Sequence, residues 1–193
     1  MGALLPYLRG GQAGKVDDIT FDDGYQNNLT QALPALLKQG FSSTCYAGSG
    51  LLGKTNVWDE AQGIAQTPLM NEEEIRQWVM AGQELGSHTH RHIDLKAASD
   101  EACRAEMASG KIGLEAVIGQ PVRQFCYPYG RYEPRHVAMA SELGFVAATT
   151  TQRSRCHAGM EMLKLPRVPV LRSTSLPVFW LKIATAYEDR RKQ

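Results

Sequence analysis

The chain has 193 residues, of which 43% are apolar and 21% are charged, and its formal net charge at pH 7 is +1. This length and composition suit an ordinary globular protein with one substantial core. No basic run interleaves with aromatic residues, which argues against a nucleic-acid partner, and no apolar stretch approaches the ~20 residues of a transmembrane helix. We therefore expect a single domain over residues 1–193.

The N-terminal sequence MGALLPYLRGGQ has no charged region before its apolar patch and no clear cleavage site for an export signal. Its leucines resemble the end of a helix, which favours a natural chain that begins earlier. Without an export signal, the default location is cytoplasmic. The sequence itself fixes neither the compartment nor the oligomeric state.

Strand-like and helix-like segments alternate along the first half of the chain. DDITF is predicted as a strand, LTQALPALLKQG as a helix and FSSTCYA as a second strand, and the Gly-rich segment GSGLLGKTNVWDEAQG that follows has no periodicity. NEEEIRQWVMAG is predicted as a helix, with Asn71 as its cap and Glu74 at the reciprocal capping position. QELGSH is predicted as a third strand.

The alternation of strands and helices continues in the second half of the chain. SDEACRAEMASGKIGLEAVIG is predicted as a long helix capped by Ser99, VRQFCYPYG as a strand, EPRHVAMASELG as a helix and FVAATT as another strand. Strands and helices at this spacing favour an α/β fold with mainly parallel strands.

The four cysteines, Cys45, Cys103, Cys126 and Cys156, are widely spaced. They form no C-x-x-C pair, which argues against a disulfide framework and against a thiolate zinc site. Cys45 and Cys126 lie within apolar strand-like runs, so we expect both to be buried free thiols.

Three polar clusters follow predicted strands. They are the pair Asp22–Asp23, the segment HTHRH (88–92) and the segment CYPYG (126–130). Because functional groups of parallel α/β folds gather at the carboxyl ends of strands, we expect the three clusters to share one site.

Two histidines and a carboxylate are a common ligand set for a catalytic zinc ion. In a continuing strand, positions 88 and 92 would lie about 13 Å apart, and His88 would share a face with His90. If the chain turns instead, His88 and His92 converge, as residues i and i+4 do on a helix. The residues alone leave both pairs open.

The motifs TFDDG, SHTHRHIDL, FCYPYG and LPRVPV, in this order, resemble those of the polysaccharide deacetylases, that is, carbohydrate esterase family four with its NodB-homology domain. The resemblance runs from about Thr20 to Val170, which is most of the chain. It implies an irregular (β/α)-barrel, commonly of seven strands, that is incomplete here at its N-terminal side.

The resemblance also implies roles for individual residues. Asp22 corresponds to the catalytic base, and the metal ligands correspond to Asp23, His88 and His92, which makes His90 a bystander. The backbone N–H of Tyr129 corresponds to a donor to the reaction's oxyanion, with Pro128 and Gly130 shaping the turn. A divalent metal is implied; imidazole and carboxylate suit zinc best, while cobalt, nickel or iron also fit.

Two departures from the family pattern affect the expected chemistry. Cys126 stands where the family carries an arginine that orients the catalytic aspartate. An unpaired charge in the apolar LPRVPV segment would be costly, so we predict that Arg167 pairs with Asp22 instead. The family's late histidine acid has no clear counterpart, leaving His157 or an upstream residue for this role.

The expected activity is metal-dependent hydrolysis of N-acetyl groups from an amino-sugar polymer, oligosaccharide or glycoconjugate, with release of acetate. The alternative is a carbohydrate-binding pseudoenzyme that retains the metal site. Either reading makes an N-acetylated carbohydrate the partner, and we expect Tyr127, Pro128 and Gly130 to contribute to its binding site. Tyr127, Tyr129 or Tyr132 can stack on its rings or pack in the core. The sequence does not specify the sugar.

Overall fold

The computed structural model describes residues 1–14 and 16–190 and contains one parallel sheet within them. Six strands follow one another in chain order across the sheet: Ile19–Phe21 (β1), Ser43–Ala47 (β2), Glu84–Ser87 (β3), Gln124–Cys126 (β4), Ala147–Arg153 (β5) and Leu165–Arg167 (β6). The α/β class and the parallel sheet are confirmed. The described residues form six strands, where the resemblance led us to expect about seven.

An α-helix lies between each pair of successive strands from β1 to β5, in the predicted order, and two further helices precede β1 and follow β6. The α-helices are Leu5–Leu8 (α1), Leu33–Gln39 (α2), Glu72–Met80 (α3), Asp100–Ile118 (α4), Pro134–Glu142 (α5) and Leu176–Ala184 (α6). The capping box predicted for α3 is present, since Asn71 and Glu74 each accept the other's backbone N–H through their side chains. The predicted cap of α4 is also present, with the Ser99 hydroxyl accepting from Ala102 N–H.

The sheet curls into a half-barrel, which brings its two edge strands to face each other. The Arg167 side chain, at the end of β6, donates to Thr20 Oγ1 in β1 at 3.2 Å. Strands at opposite ends of the hydrogen-bonded order can meet through side chains only if the sheet bends round. The carboxyl ends of all the strands therefore border one common mouth.

The main core lies between the sheet and helices α2, α3, α4 and α5. Its largest fully buried side chains include Trp78 of α3, Met107 of α4 and Phe125 of β4. The predicted burial of two thiols is confirmed, because Cys45 and Cys126 are fully buried and all four cysteines are free.

Helix α6 faces solvent with several apolar residues. Leu176 and Trp180 are 82% and 63% exposed, whereas Lys182 is buried and donates to Pro169 O at 2.6 Å. In the described part of the chain, no helix combines the length and the apolar character that crossing a membrane requires.

Candidate active site

Asp22 follows β1 directly and is held by Arg167 from the opposite edge of the sheet. The two guanidinium NH2 groups donate to the two carboxylate oxygens, with Nη1–Oδ1 at 2.6 Å and Nη2–Oδ2 at 2.7 Å. Such a two-point contact fixes the plane of a carboxylate as well as its position. The predicted pairing of Arg167 with Asp22 is thus confirmed, while its role in turnover stays a prediction.

Arg167 also explains how Cys126 can occupy the position of the family's arginine. Arg167 Nη2 lies 3.5 Å from Cys126 Sγ, and Nε donates to Thr150 O at 2.9 Å. The guanidinium therefore reaches the space beside the thiol from a later strand. Burial alone would raise the pKa of Asp22, but hydrogen bonding and charge from Arg167 outweigh it and hold that pKa below its ordinary value.

Asp23 turns away from Asp22 because the chain leaves the strand in a left-handed conformation. Asp23 has φ 71° and Gly24 has φ 75°. A left-handed residue other than glycine is strained and is characteristic of functional sites. Two successive left-handed residues let the neighbouring carboxylates point to different partners, which reduces their mutual repulsion.

A tight turn brings His88 and His92 together. Thr89 Oγ1 accepts from His92 N–H at 3.0 Å, and both Thr89 and His92 are left-handed, with φ 65° and 57°. The two imidazole centroids are 4.8 Å apart. Helix α4 can press on this turn because Gly110 faces it; a Cβ there would lie 2.6 Å from the Thr89 carbonyl carbon. The turn thus selects the His88/His92 arrangement over a continuing strand.

Asp23, His88 and His92 form a set of groups that can hold a metal ion. Asp23 Oδ1 is buried and accepts no hydrogen bond among the described residues, and it lies 3.5 Å from His88 Nε2 and 3.3 Å from His92 Nε2. Ligand atoms about 2.0–2.2 Å from a tetrahedral cation lie about 3.3–3.6 Å apart. The donor atoms therefore have the chemistry and the spacing of a divalent-metal site.

The protonation of Asp23 and His92 also suits a cation. Burial alone would raise the pKa of Asp23, but the adjacent imidazoles of His88 and His92 hold it well below its ordinary value. Burial lowers the pKa of His92, and the neighbouring His88 adds to that effect. A carboxylate and a neutral imidazole are the forms in which these side chains bind metals. Burial would lower the pKa of His88, but Cys126 and Asp23 raise it above its ordinary value, so a bound cation would displace a proton from that ring.

The His90 side chain points to a different part of the molecule. Its Nδ1 lies 2.8 Å from Ser49 Oγ, and its ring covers Gly50, where a Cβ would lie 2.6 Å from Nε2. His90 therefore packs against the loop after β2 and away from Asp23, as expected of a bystander.

The segment after β4 presents Tyr129 to the mouth. Tyr129 has φ 57° and is 41% exposed, while Pro128 is buried and begins the turn. Gly130 has φ 65°, and a Cβ there would lie within 1.9 Å of Thr151 Oγ1. Pro128 and Gly130 thus serve the shape of the turn. A role for the Tyr129 N–H toward an oxyanion stays a prediction.

Tyr127 does not offer a sugar-binding surface. Its ring is fully buried, stacks on Tyr132 with centroids 4.7 Å apart, and its hydroxyl donates to Leu163 O at 3.0 Å. A ring without exposed area has no face for a ligand. The prediction of Tyr127 as a substrate-binding residue was therefore wrong, and the core-packing alternative holds.

His157 lies on the exposed loop between β5 and β6. Its backbone N–H lies 3.4 Å from Met160 Sδ, and the next residues pack toward α1 through a hydrogen bond from Gly159 N–H to Leu8 O. These contacts connect the loop to α1, and they give no support to His157 as an acid at the mouth.

Trp58 is a site residue that the sequence analysis missed. Its indole stacks on the His92 imidazole, with centroids 4.3 Å apart and an interplanar angle of 25°. It comes from the Gly-rich segment without periodicity, which the structure folds over the mouth. The available signal was a tryptophan standing alone in a polar loop, where core packing is not expected.

The polysaccharide deacetylase family model matches residues 10–148. YxkH of Bacillus subtilis, a protein assigned to the polysaccharide deacetylases, is 29% identical over 152 residues, which cover 79% of this chain and 50% of YxkH. The chitooligosaccharide deacetylase of Azorhizobium caulinodans is 26% identical over 141 residues, covering 69% of this chain and 60% of that enzyme. The chain thus spans half to three fifths of these relatives' length.

Two solved structures share the fold. The Streptococcus pyogenes deacetylase PplD, in complex with acetate, has a TM-score of 0.81 at 24% identity, covering 94% of this chain and 77% of PplD. IcaB from Ammonifex degensii has a TM-score of 0.79 at 23% identity, covering 93% of this chain and 78% of IcaB. With a family model that matches most of its length, this chain belongs to the polysaccharide deacetylases, carbohydrate esterase family four.

Proposed function

We propose that this chain is a metal-dependent hydrolase that removes N-acetyl groups from an amino-sugar oligosaccharide, polymer or glycoconjugate and releases acetate. The observation that carries the proposal is the pairing of Asp22 with Arg167 beside the Asp23, His88 and His92 donor set. A pure metal-binding site needs only the donor set. An ionised carboxylate fixed next to it supplies what hydrolysis additionally requires, a base with a defined direction.

Asp23, His88 and His92 would hold the divalent cation, with zinc the expected ion. When bound, the cation would polarise the acetamide carbonyl and lower the pKa of a water molecule at the site. Asp22 would accept a proton from the attacking water, because Arg167 keeps the carboxylate ionised and aimed. The Tyr129 N–H would donate a hydrogen bond to the oxyanion that develops on the carbonyl oxygen.

Proton transfer to the leaving amine can be assigned to the same aspartate. After accepting the proton from water, Asp22 is a neutral carboxylic acid and can return that proton to the departing nitrogen. One residue then carries out both transfers, which accounts for a site in which His157 lies on an exposed loop elsewhere. Atoms balance, since one water molecule is consumed and acetate and a free amine are formed.

Two relatives support the substrate class. The Azorhizobium caulinodans relative is a chitooligosaccharide deacetylase, and the S. pyogenes neighbour was solved with acetate, the acid that this reaction would release. The partly buried Trp58 and the exposed Tyr129 flank the mouth and offer apolar faces of the kind that pyranose rings contact.

Acetate release from N-acetylglucosamine oligomers is the direct test. We expect the purified chain to release acetate. Acetate release should stop when a chelator removes the metal and should recover when Zn²⁺ or Co²⁺ is returned. Acetate release that persists unchanged in chelator would contradict the metal-dependent mechanism. Oligomer binding without any acetate release, with zinc bound, would contradict the hydrolase assignment.

A further inference from the structure

The two histidines of the donor set are supported differently. His88 Nδ1 lies 2.7 Å from the Cys126 carbonyl oxygen, which fixes the ring and directs Nε2 toward Asp23. His92 Nδ1 is buried and has no hydrogen-bond partner among the described residues. Metal-binding histidines almost always use their second nitrogen for such an anchor. His92 must therefore be oriented by something else.

Two aromatic rings supply that restraint. The Trp58 indole lies nearly parallel to the His92 imidazole, with centroids 4.3 Å apart, and the Tyr129 ring meets it edge-on, with centroids 4.6 Å apart at an angle of 74°. His92 is only 5% exposed. Contacts of these two types are the favoured geometries for aromatic pairs, and together they limit rotation of the imidazole about its side-chain bonds.

The loop that carries Trp58 is itself anchored. Asn56, which is 1% exposed, accepts Thr67 N–H at 2.6 Å through Oδ1 and donates to Asp59 Oδ2 at 3.0 Å. Gln66 Nε2 donates to Asn56 O at 3.2 Å. These bonds close the loop on both sides of Trp58. The indole is therefore a fixed wall against which His92 rests.

We infer that Trp58 is a positioning residue for the divalent cation: its indole holds His92 in the ligating orientation, in place of the hydrogen bond that holds His88. Tyr129 completes the clamp from the other side. This inference rests on the proposed metal site, but it concerns how the metal-free chain is prepared for the ion. It therefore predicts an effect on metal affinity itself, independent of turnover.

Zn²⁺ affinity, measured by competition with a chromophoric chelator, tests the inference. Loss of an anchor to a metal ligand typically weakens binding about 10- to 100-fold, so Trp58→Ala should raise the Zn²⁺ dissociation constant by at least about tenfold. Trp58→Phe, which keeps a flat ring, should recover most of the affinity. Trp180→Ala is the matched control, because it removes an exposed indole on α6 and should leave affinity unchanged.

A double-mutant comparison separates positioning from a general effect on the loop. If Trp58 acts through His92, Trp58→Ala should cause no further loss of Zn²⁺ affinity in a His92→Ala background. Co²⁺ should also quench the emission of Trp58, isolated as the difference between the wild type and Trp58→Phe. The inference would be overturned if Trp58→Ala lowered Zn²⁺ affinity equally in the wild-type and His92→Ala backgrounds. It would also be overturned if Trp58→Ala caused no loss of affinity in the wild-type background.

Failure of the inference and failure of the proposed function give different results. A wild-type chain that binds Zn²⁺ with the same affinity as Trp58→Ala overturns only the role of Trp58. A wild-type chain that binds no Zn²⁺ overturns both. Unfolding temperatures of the metal-free variants, expected to be similar, establish that a loss of affinity does not arise from a loss of fold.

Discussion

The site has two parts that are held in different ways. One part lies at strand ends and is fixed by hydrogen bonds: Asp22, Arg167 and His88. The other part lies in left-handed turns: Asp23, His92 and Tyr129. We refer to these sets as the strand-end half and the turn half of the site. The strand-end half uses the sheet as its scaffold: His88 N–H donates to Ala47 O of β2, and its ring bonds Cys126 O of β4. The turn half depends on backbone strain and on ring contacts.

The difference is visible in the backbone. Among the described residues, the non-glycine residues with positive φ are Asp23, Thr89, His92 and Tyr129, and all of them belong to the site or to the turn that builds it. Strained residues persist only where the surroundings determine them strongly. The sheet thus fixes Asp22, Arg167 and His88 rigidly, and strained turns bring Asp23 and His92 to the same mouth.

Among substitutions that leave the donor set and the base in place, the largest effect is expected in the strand-end half, for Arg167→Met. Misplacement of a reacting group by about 1 Å can cost roughly 100-fold in rate, so acetate release should fall about that much while Zn²⁺ content is retained. Arg167→Lys, which keeps the charge but loses the two-point contact, should be intermediate. The rate should be measured across the acidic pH range.

The pH dependence of Arg167→Met has a definite sign. Arg167 holds the pKa of Asp22 below its ordinary value against the effect of burial. Without Arg167, burial raises that pKa. As the pH falls, the carboxylate base is then protonated at a higher pH, so the acidic limb of the rate profile shifts to higher pH. An unchanged rate and an unchanged acidic limb would refute the importance of this pair.

A smaller effect is expected from strain in the turn that carries Tyr129. Gly130→Ala would place a Cβ 1.9 Å from Thr151 Oγ1 at φ 65°. Gly119→Ala is a matched control, because Gly119 has φ 69° and no atom within 4 Å of its Cβ position. Unfavourable φ alone costs about 1–2 kcal/mol, so both variants should lower the free energy of unfolding, and Gly130→Ala should lower it further. Equal losses in urea denaturation would show that Thr151 does not constrain the turn.

The smallest effect is expected for His90→Ala. His90 contacts Ser49 rather than the donor set, so its removal should change Zn²⁺ affinity by no more than about twofold, as for most peripheral substitutions. His88→Ala and His92→Ala, measured in parallel, should each weaken binding strongly. Comparable loss in all three variants would show that the turn does not separate ligand from bystander.

The strand-end half was largely predictable from sequence, because hydrophobic periodicity and helix-capping residues locate strands and helices. The resemblance made Asp22 the base and left the arginine position to Cys126, and the charge of Arg167 in an apolar segment then pointed to its pairing with Asp22. The turn half was not predictable in the same way. Whether His88 pairs with His90 or His92 depends on the left-handed turn at Thr89 and on Gly110, which lets α4 press on it. Only the family resemblance selected the pair that the structure brings beside Asp23.

Trp58 and Tyr127 show two limits of prediction from sequence: a site residue that was missed, and a predicted site residue that lies in the core. Trp58 lies in a segment without periodicity, and its place over His92 follows from hydrogen bonds that Asn56 makes across the loop. Tyr127 lies in a polar-ended motif beside Tyr129, but strand alternation turns its ring into the core, where Tyr132 covers it. Local sequence does not specify which neighbouring ring faces the mouth.

The most direct test of the division between the two halves compares Asp22→Asn with Asp23→Ala. For each variant, Zn²⁺ affinity and acetate release from N-acetylglucosamine oligomers would be measured on the same preparation. Asp22→Asn should retain Zn²⁺ and lose about 10²–10⁴-fold in turnover, as expected for removal of a general base. Asp23→Ala should lose both. Equal loss of Zn²⁺ in the two variants, or undiminished turnover in Asp22→Asn, would contradict the account.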